Sequence, residues 1–308
     1  MKYNLYQKVA FTTVAATILL IFVGGLVRAA GAGLGCPDWP TCFGLWIPPL
    51  DAVDLPAGYD TALYNPLHTW LEYFNRLVGV TIGLLITATF ILSFRYRKSD
   101  SIIVWVSATA LILVLLQGWL GGVVVQSGLS TGMITLHMIL AMLILNLLLY
   151  AAVRATREKF VVNISEPIAK RLMWLGGFLF LLLLVQMILG TQVREMVDLV
   201  KNAPNPPPRE MWPERIDNTL YLIHRSFSWL VVTMTALLVW DMKRSGVKGI
   251  LRRLAMLVCL LITLQILLGA GMEWFGMPGW MQLFHLVGFA LLICTHFFYL
   301  LILHFSRQ

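Results

Sequence analysis

Charge is scarce in this chain. Only 12% of its 308 residues are Asp, Glu, Lys or Arg, where a soluble domain carries roughly 25%. That shortage excludes an ordinary water-soluble globule, because most of the surface must face something other than water. Acidic residues are the rarer sign, 15 against 23 Lys and Arg, which leaves a net charge of +8. The basic excess does not gather into the single patch that nucleic acid would need, so no nucleic-acid partner is expected. It recurs as short clusters between apolar runs. Cysteine is sparse too, with four residues. Cys259 and Cys294 lie inside apolar runs, where a thiol behaves as a small hydrophobe. Cys36 and Cys42 stand in a polar, proline-bearing loop with no His before His68, too few donors for a metal site. A cleavable signal peptide is not evident. The first apolar run, about 9–27, is long enough to span a bilayer and lacks a convincing cleavage site.

What is abundant is apolar length. Hydrophobic residues make up 59% of the chain, and a bilayer core requires about 20 of them per helix. Eight segments qualify, at about 9–28, 67–94, 101–125, 131–153, 171–193, 217–241, 250–272 and 279–304. Backbone at that depth must satisfy its own hydrogen bonds, so each segment reads as a helix.

Orientation follows from Lys and Arg. With the N-terminus inside, 16 basic residues fall on the inner side, Arg307 among them, and 7 on the outer side. The positive-inside bias therefore places both termini in the cytoplasm of a cell-membrane protein. Two outer loops are then long. Residues 29–66 carry Gly35-Cys36-Pro37-Asp38-Trp39-Pro40-Thr41-Cys42, and residues 194–216 carry Pro204-Asn205-Pro206-Pro207-Pro208. The outer side is oxidising, so a disulfide between Cys36 and Cys42 is expected there. It could staple the loop or pass electrons, and both readings stay open.

The polar positions repeat. Asn75-Arg76 answers His224-Arg225 at an offset of 149, and His137 answers His285 at 148. Gln117-x3-Gly121 answers Gln265-x3-Gly269, also at 148, while Gly24-x3-Arg28 and Gly190-x3-Arg194 close the first and fifth runs. Gln186-x3-Gly190 adds a third copy of the Gln pattern, read as close helix packing. Matching offsets at polar positions are hard to obtain by chance among Leu-rich helices. The expected fold is all-α, eight transmembrane helices in two pseudo-symmetric four-helix bundles, over residues 1–160 and 161–308. An even number of helices per half makes the repeat parallel.

Asn75, His137, His224 and His285 each lie 6–8 residues into their runs from the outer end, roughly 9–12 Å deep at the helical rise. Intramembrane ionisable groups are costly and mark function. Two histidines at one depth on facing helices can ligate a heme iron from both sides, and His224 with His285 meets that description. The plainer alternative is a pair of hydrogen-bonded core histidines. The N-terminal half breaks the symmetry, because Asn75 stands where His224 stands. A heme there would be five-coordinate through His137 and open on its other face, which suits oxygen chemistry, whereas a bis-His site suits electron transfer. Glu72 projects from the Asn75 face of its helix, as a proton donor near substrate or as a simple partner of Arg76. Arg28, Arg194, Arg225 and Arg76 could pair with the anionic propionates of heme or merely snorkel to the interface.

With those residues in view, the chain resembles the heme A synthase family. The resemblance rests on Gly33 to Cys42, on Glu72-x2-Asn75-Arg76, and on His137, His224-Arg225 and His285 in order. It covers essentially the whole chain. It implies oxidation of the C8 methyl of heme O to a formyl group, giving heme A, with molecular oxygen and an electron donor. It implies heme b held by His224 and His285, and substrate heme against His137 with Glu72 and Asn75 beside it. It also implies a Cys36–Cys42 disulfide, and the farnesyltransferase that makes heme O becomes a candidate partner, as does a second copy of the chain. One departure stands out. The family commonly has His at the position of Asn75. Either this branch works with one proximal ligand or the N-terminal half has altered activity. The survival of Glu72, Arg76, His137 and both cysteines favours the first. A b-type electron carrier and a heme carrier without catalysis are the competing functions.

Overall fold

The computed structural model describes residues 2–216 and 218–306, so Arg307 lies outside the described residues. Among them the regular structure is helical: α1 (Leu5–Ala29), α2 (Pro66–Ser93), α3 (Ser101–Gln126), α4 (Thr131–Arg154), α5 (Glu166–Lys201), α6 (Trp212–Arg215), α7 (Asn218–Arg244), α8 (Ile250–Trp274) and α9 (Gly279–Phe305). All except α6 are long and apolar enough to cross a membrane. The chain is a multi-pass membrane protein.

Local chemistry sets the helix ends. Asn4 caps α1 in a reciprocal box with Gln7, which satisfies two orphan N–H groups. Asn65 caps α2 by accepting from the His68 N–H, and Pro66 follows at the position where a missing N–H costs nothing. Past the caps, large apolar side chains stand exposed along the spans, such as Leu84, Trp105, Leu115, Trp174 and Leu267. In water such faces would drive aggregation; in lipid they are the solvated surface.

The chain divides into two compact units, Met1–Ala152 and Val153–Gln308. In the first, α1 packs on α2 and α2 on α3. Polar pins cross the apolar seams: Thr13 to Thr89 at 3.0 Å and Tyr6 to Ser107 at 3.2 Å. In the second unit, α5 packs on α7 and α9, and α8 on both α7 and α9, around a core that includes Leu172, Leu183, Leu238, Leu251 and Tyr299. His296, a residue without a cofactor role in the sequence reading, bonds the Gly176 carbonyl at 2.8 Å and stacks on Phe180 and Tyr299. It is a core histidine tying α9 to α5.

α5 is longer than its apolar run. It continues past residue 193 to Lys201 because the added turns are amphipathic: Arg194 pairs with Asp198 at 2.8 Å, and Val197 is buried against Trp212, Ile216 and Met277. The proline-rich segment after it folds back through α6, so that Trp212 roofs this end of the unit.

Candidate functional site

The cysteine loop is fastened to α2 by side chains one turn apart. Cys36 and Cys42 form a disulfide, buried with Phe43 among Leu55, Tyr59, Tyr64 and Tyr73. The Cys36 N–H donates to Glu72 Oε2 at 2.9 Å, and Thr69 Oγ1 donates to the Gly35 carbonyl at 2.8 Å. Gly35 lies so close to the α2 backbone that a Cβ there would overlap the His68 carbonyl. Arg76 reaches the same loop. Its Nη1 donates to the carbonyls of Asp38 and Thr41 at 2.8 and 2.7 Å, and its Nη2 donates to Glu72 Oε1 at 2.7 Å. Asp38 in turn accepts from the Thr41 hydroxyl and from the backbone N–H groups of Phe43 and Gly44. Glu72, only 4% exposed, thus has both oxygens occupied. The loop's Trp39 rests on α3, where a Cβ on Gly122 would come within 2.7 Å of the indole.

Asn75, His137, His224 and His285 share one arrangement. Each lies against a glycine of the neighbouring helix. A Cβ on Gly24 of α1 would be 3.7 Å from Asn75 Oδ1. The same construction puts Gly121 of α3 at 3.6 Å from His137 Cε1, Gly190 of α5 at 3.2 Å from His224 Cε1, and Gly269 of α8 at 3.7 Å from His285 Cε1. The glycines leave the seam between helices open for a ring. Two of these histidines are also held through their backbone by a glutamine four residues before the glycine. Gln117 Nε2 donates to the His137 carbonyl at 3.0 Å, and Gln186 Nε2 donates to the His224 carbonyl at 3.1 Å, with the His224 Nδ1 at 3.3 Å. Gln265, 9% exposed, wedges its amide against Gly288 of α9.

Several of these groups lack protein partners. Asn75 Oδ1, His137 Nδ1 and His285 Nδ1 are buried and bond to no described residue. An unmet buried polar atom costs about 1–3 kcal/mol; Nδ1 of the core histidine His296 is unmet in the same way, so these atoms mark spare polar capacity in the seams rather than ligation by themselves. Imidazoles in glycine-lined seams fit a heme group. No cluster of three or more His, Cys, Asp or Glu suited to a bare metal ion occurs among the described residues.

The arginines divide. Arg76 is committed to the loop. Arg194 bonds Asp198 through Nη2 but keeps a buried Nε with no acceptor among the described residues. Arg225 pairs with Glu273 at 3.2 Å, and Tyr221, which stands where Glu72 stands in the first half, donates to the same carboxylate at 2.9 Å. Each half therefore sets a carboxylate beside the arginine that follows the Asn75 or His224 position, from α2 itself in one and from α8 in the other. Arg28 lies in the last turn of α1.

A family model described as cytochrome oxidase assembly protein, COX15-CtaA, matches residues 7–297. The chain belongs to that family. Among curated proteins it is 29% identical over 163 residues to the heme A synthase of Bacillus cereus (strain 03BB102), covering 52% of this chain and 47% of the relative. The heme A synthase of Bacillus anthracis (strain A0248) gives the same figures, and that of Bacillus cereus (strain AH187) is 26% identical over 171 residues, 56% of this chain and 49% of the relative. The chain thus spans about half the length of the curated relatives it matches. For this COX15-CtaA family member, sequence reasoning missed three features: the glycine behind each ring, the commitment of Glu72 and Arg76 to the loop, and the part of Asp38 and Glu273. The glycines were visible as the repeated Gln-x3-Gly spacing. Glu273 left no such trace, since it is supplied from outside the repeat.

Proposed function

We propose that the chain is a heme A synthase, oxidising the C8 methyl of heme O to the formyl group of heme A for terminal oxidases. The single observation that carries this reading is the inequality of the halves within one repeated geometry: three glycine-backed seams hold His, and the fourth holds Asn75. Bound between His224 and His285, heme b would supply reversible one-electron transfer. Substrate heme O would be held by His137, with Asn75 leaving the opposite face without a strong ligand. Two successive hydroxylations convert methyl to a geminal diol. Each takes one oxygen atom from molecular oxygen and sends the other to water with two electrons and two protons from a donor. Loss of water then leaves the aldehyde.

The chain's own groups do the holding. Glu72 and Arg76 fix the disulfide loop over the N-terminal half, and Trp39 brings the loop to within one residue of the Gly121 seam. In the C-terminal half the Nε of Arg194, which has no acceptor among the described residues, and Arg225 suit a propionate; in the N-terminal half Arg28 does. The loop end faces outward and both termini face the cytoplasm, as the Lys and Arg bias requires. The competing reading is a b-type electron carrier, which would need a second bis-His site, and Asn75 does not supply one. The test is co-expression with a source of heme O, followed by mass spectrometry of extracted hemes. Heme A is expected under aeration; unchanged heme O would overturn the enzyme reading.

A further inference from the structure

We infer that Gln117 and Gln186 are positioning residues for the heme-binding histidines, and that Leu20 withholds the same grip from Asn75. The inference rests on the reading of His137 and His224 as iron ligands. Its evidence is a correlation built into the fold. Wherever a glycine backs a histidine, a glutamine stands four residues before that glycine: Gln117 before Gly121, Gln186 before Gly190, Gln265 before Gly269. Where a glycine backs Asn75, the residue four before Gly24 is Leu20. Spacing of four residues puts glutamine and glycine on one helix face, one above the other. The glycine admits the ring, and at Gln117 and Gln186 the amide one turn away reaches the same residue's backbone.

The bond is to the backbone carbonyl, not only to the ring. The amide of Gln117 meets the His137 carbonyl at 3.0 Å, and that of Gln186 meets the His224 carbonyl at 3.1 Å. A helical carbonyl already accepts from the N–H four residues on and has a second lone pair to give. A donor from the next helix therefore fixes the height of the histidine Cα along the seam without disturbing its helix. Height matters, since a ligand must be held within about 0.5 Å of its working position. The Gln186 amide also lies 3.3 Å from the His224 Nδ1, so it bears on the ring's rotation as well. In the apolar interior this role falls to few residues, because few side chains there can donate. The third site holds its histidine differently: the Gln265 amide bonds to no described residue and is wedged at Gly288.

The test uses the purified full chain with the heme it carries, read by optical and electron paramagnetic resonance spectra and by reduction potential. In Gln186→Leu, which copies Leu20, the low-spin signal should shift its g values and lose amplitude to high-spin heme. Interhelical hydrogen bonds in membranes correspond to about a 3- to 20-fold change in the ligation equilibrium. A Gln186→Leu protein whose g values and potential equal those of the unaltered chain overturns the inference. His224→Ala separates that failure from failure of the ligand reading: if the low-spin signal survives there, the ligand assignment itself is wrong. Should Gln186→Leu not fold, the converse variant decides. Asn75→His with Leu20→Gln should convert more of the N-terminal-half heme to low spin than Asn75→His alone, and equal conversion would refute the role.

Discussion

Glu72 shows how far a residue's chemistry depends on its partners. By position it could donate a proton to substrate, or simply pair with Arg76. In the structure its two oxygens are taken, one by the Cys36 N–H and one by Arg76, and the pair is almost fully removed from solvent. Its first duty is to hold the disulfide loop. Glu72→Gln keeps an acceptor for Cys36 but removes the charge that faces Arg76, and a hydrogen bond to a charged group is worth about 1.5–3 kcal/mol. The loop should then open more often. Reductant should cleave the Cys36–Cys42 disulfide faster in Glu72→Gln, and Arg76→Ala should do the same, followed by alkylation of the released thiols. If Glu72 served only as a proton donor, heme oxidation would fall in Glu72→Gln while the rate of disulfide reduction stayed that of the unaltered chain.

At the scale of the element, the glycines behind the rings make opposing demands. Replacing a helical glycine by alanine stabilises a helix by about 1 kcal/mol through backbone entropy. At Gly190 the added methyl would stand 3.2 Å from the His224 ring, which must give by a few tenths of an ångström; at Gly269 the gap to His285 is 3.7 Å, ordinary contact. Gly190→Ala should therefore leave thermal stability unchanged or slightly raised while altering the low-spin spectrum, and Gly269→Ala should alter the spectrum less. Equal spectra in both variants would show that the rings are not confined by these seams. The spans themselves were legible in the sequence, because a bilayer admits only long apolar runs that close their own hydrogen bonds. The C-terminal end of α5, past residue 193, was not, since its turns are amphipathic and depend on Trp212 and Met277 arriving from later in the chain. The Gln-x3-Gly spacing was read as close packing. It is that, but of a helix against a side-chain ring, which spacing alone does not distinguish from helix against helix.

At the scale of the whole molecule, two independent features bear on orientation. One is the basic bias, 16 Lys and Arg on one side against 7 on the other. The other is the buried Cys36–Cys42 disulfide at the opposite end of the spans, which persists where the surroundings are oxidising. Both favour an outward-facing loop of residues 29–66, because an inverted chain would place the disulfide among reducing thiols. The free cysteines do not obstruct a test, as Cys294 is buried and Cys259 can be changed to Ser. Val53, 87% exposed in the loop, gives a reporter on one side, and Lys98, between α2 and α3, gives one on the other. In intact cells a membrane-impermeant maleimide should label Val53→Cys, and should label Lys98→Cys only after the membrane is opened. The reverse pattern would put the disulfide loop inside, and would remove the charge bias and the oxidising environment together as supports for heme sites near the outer face.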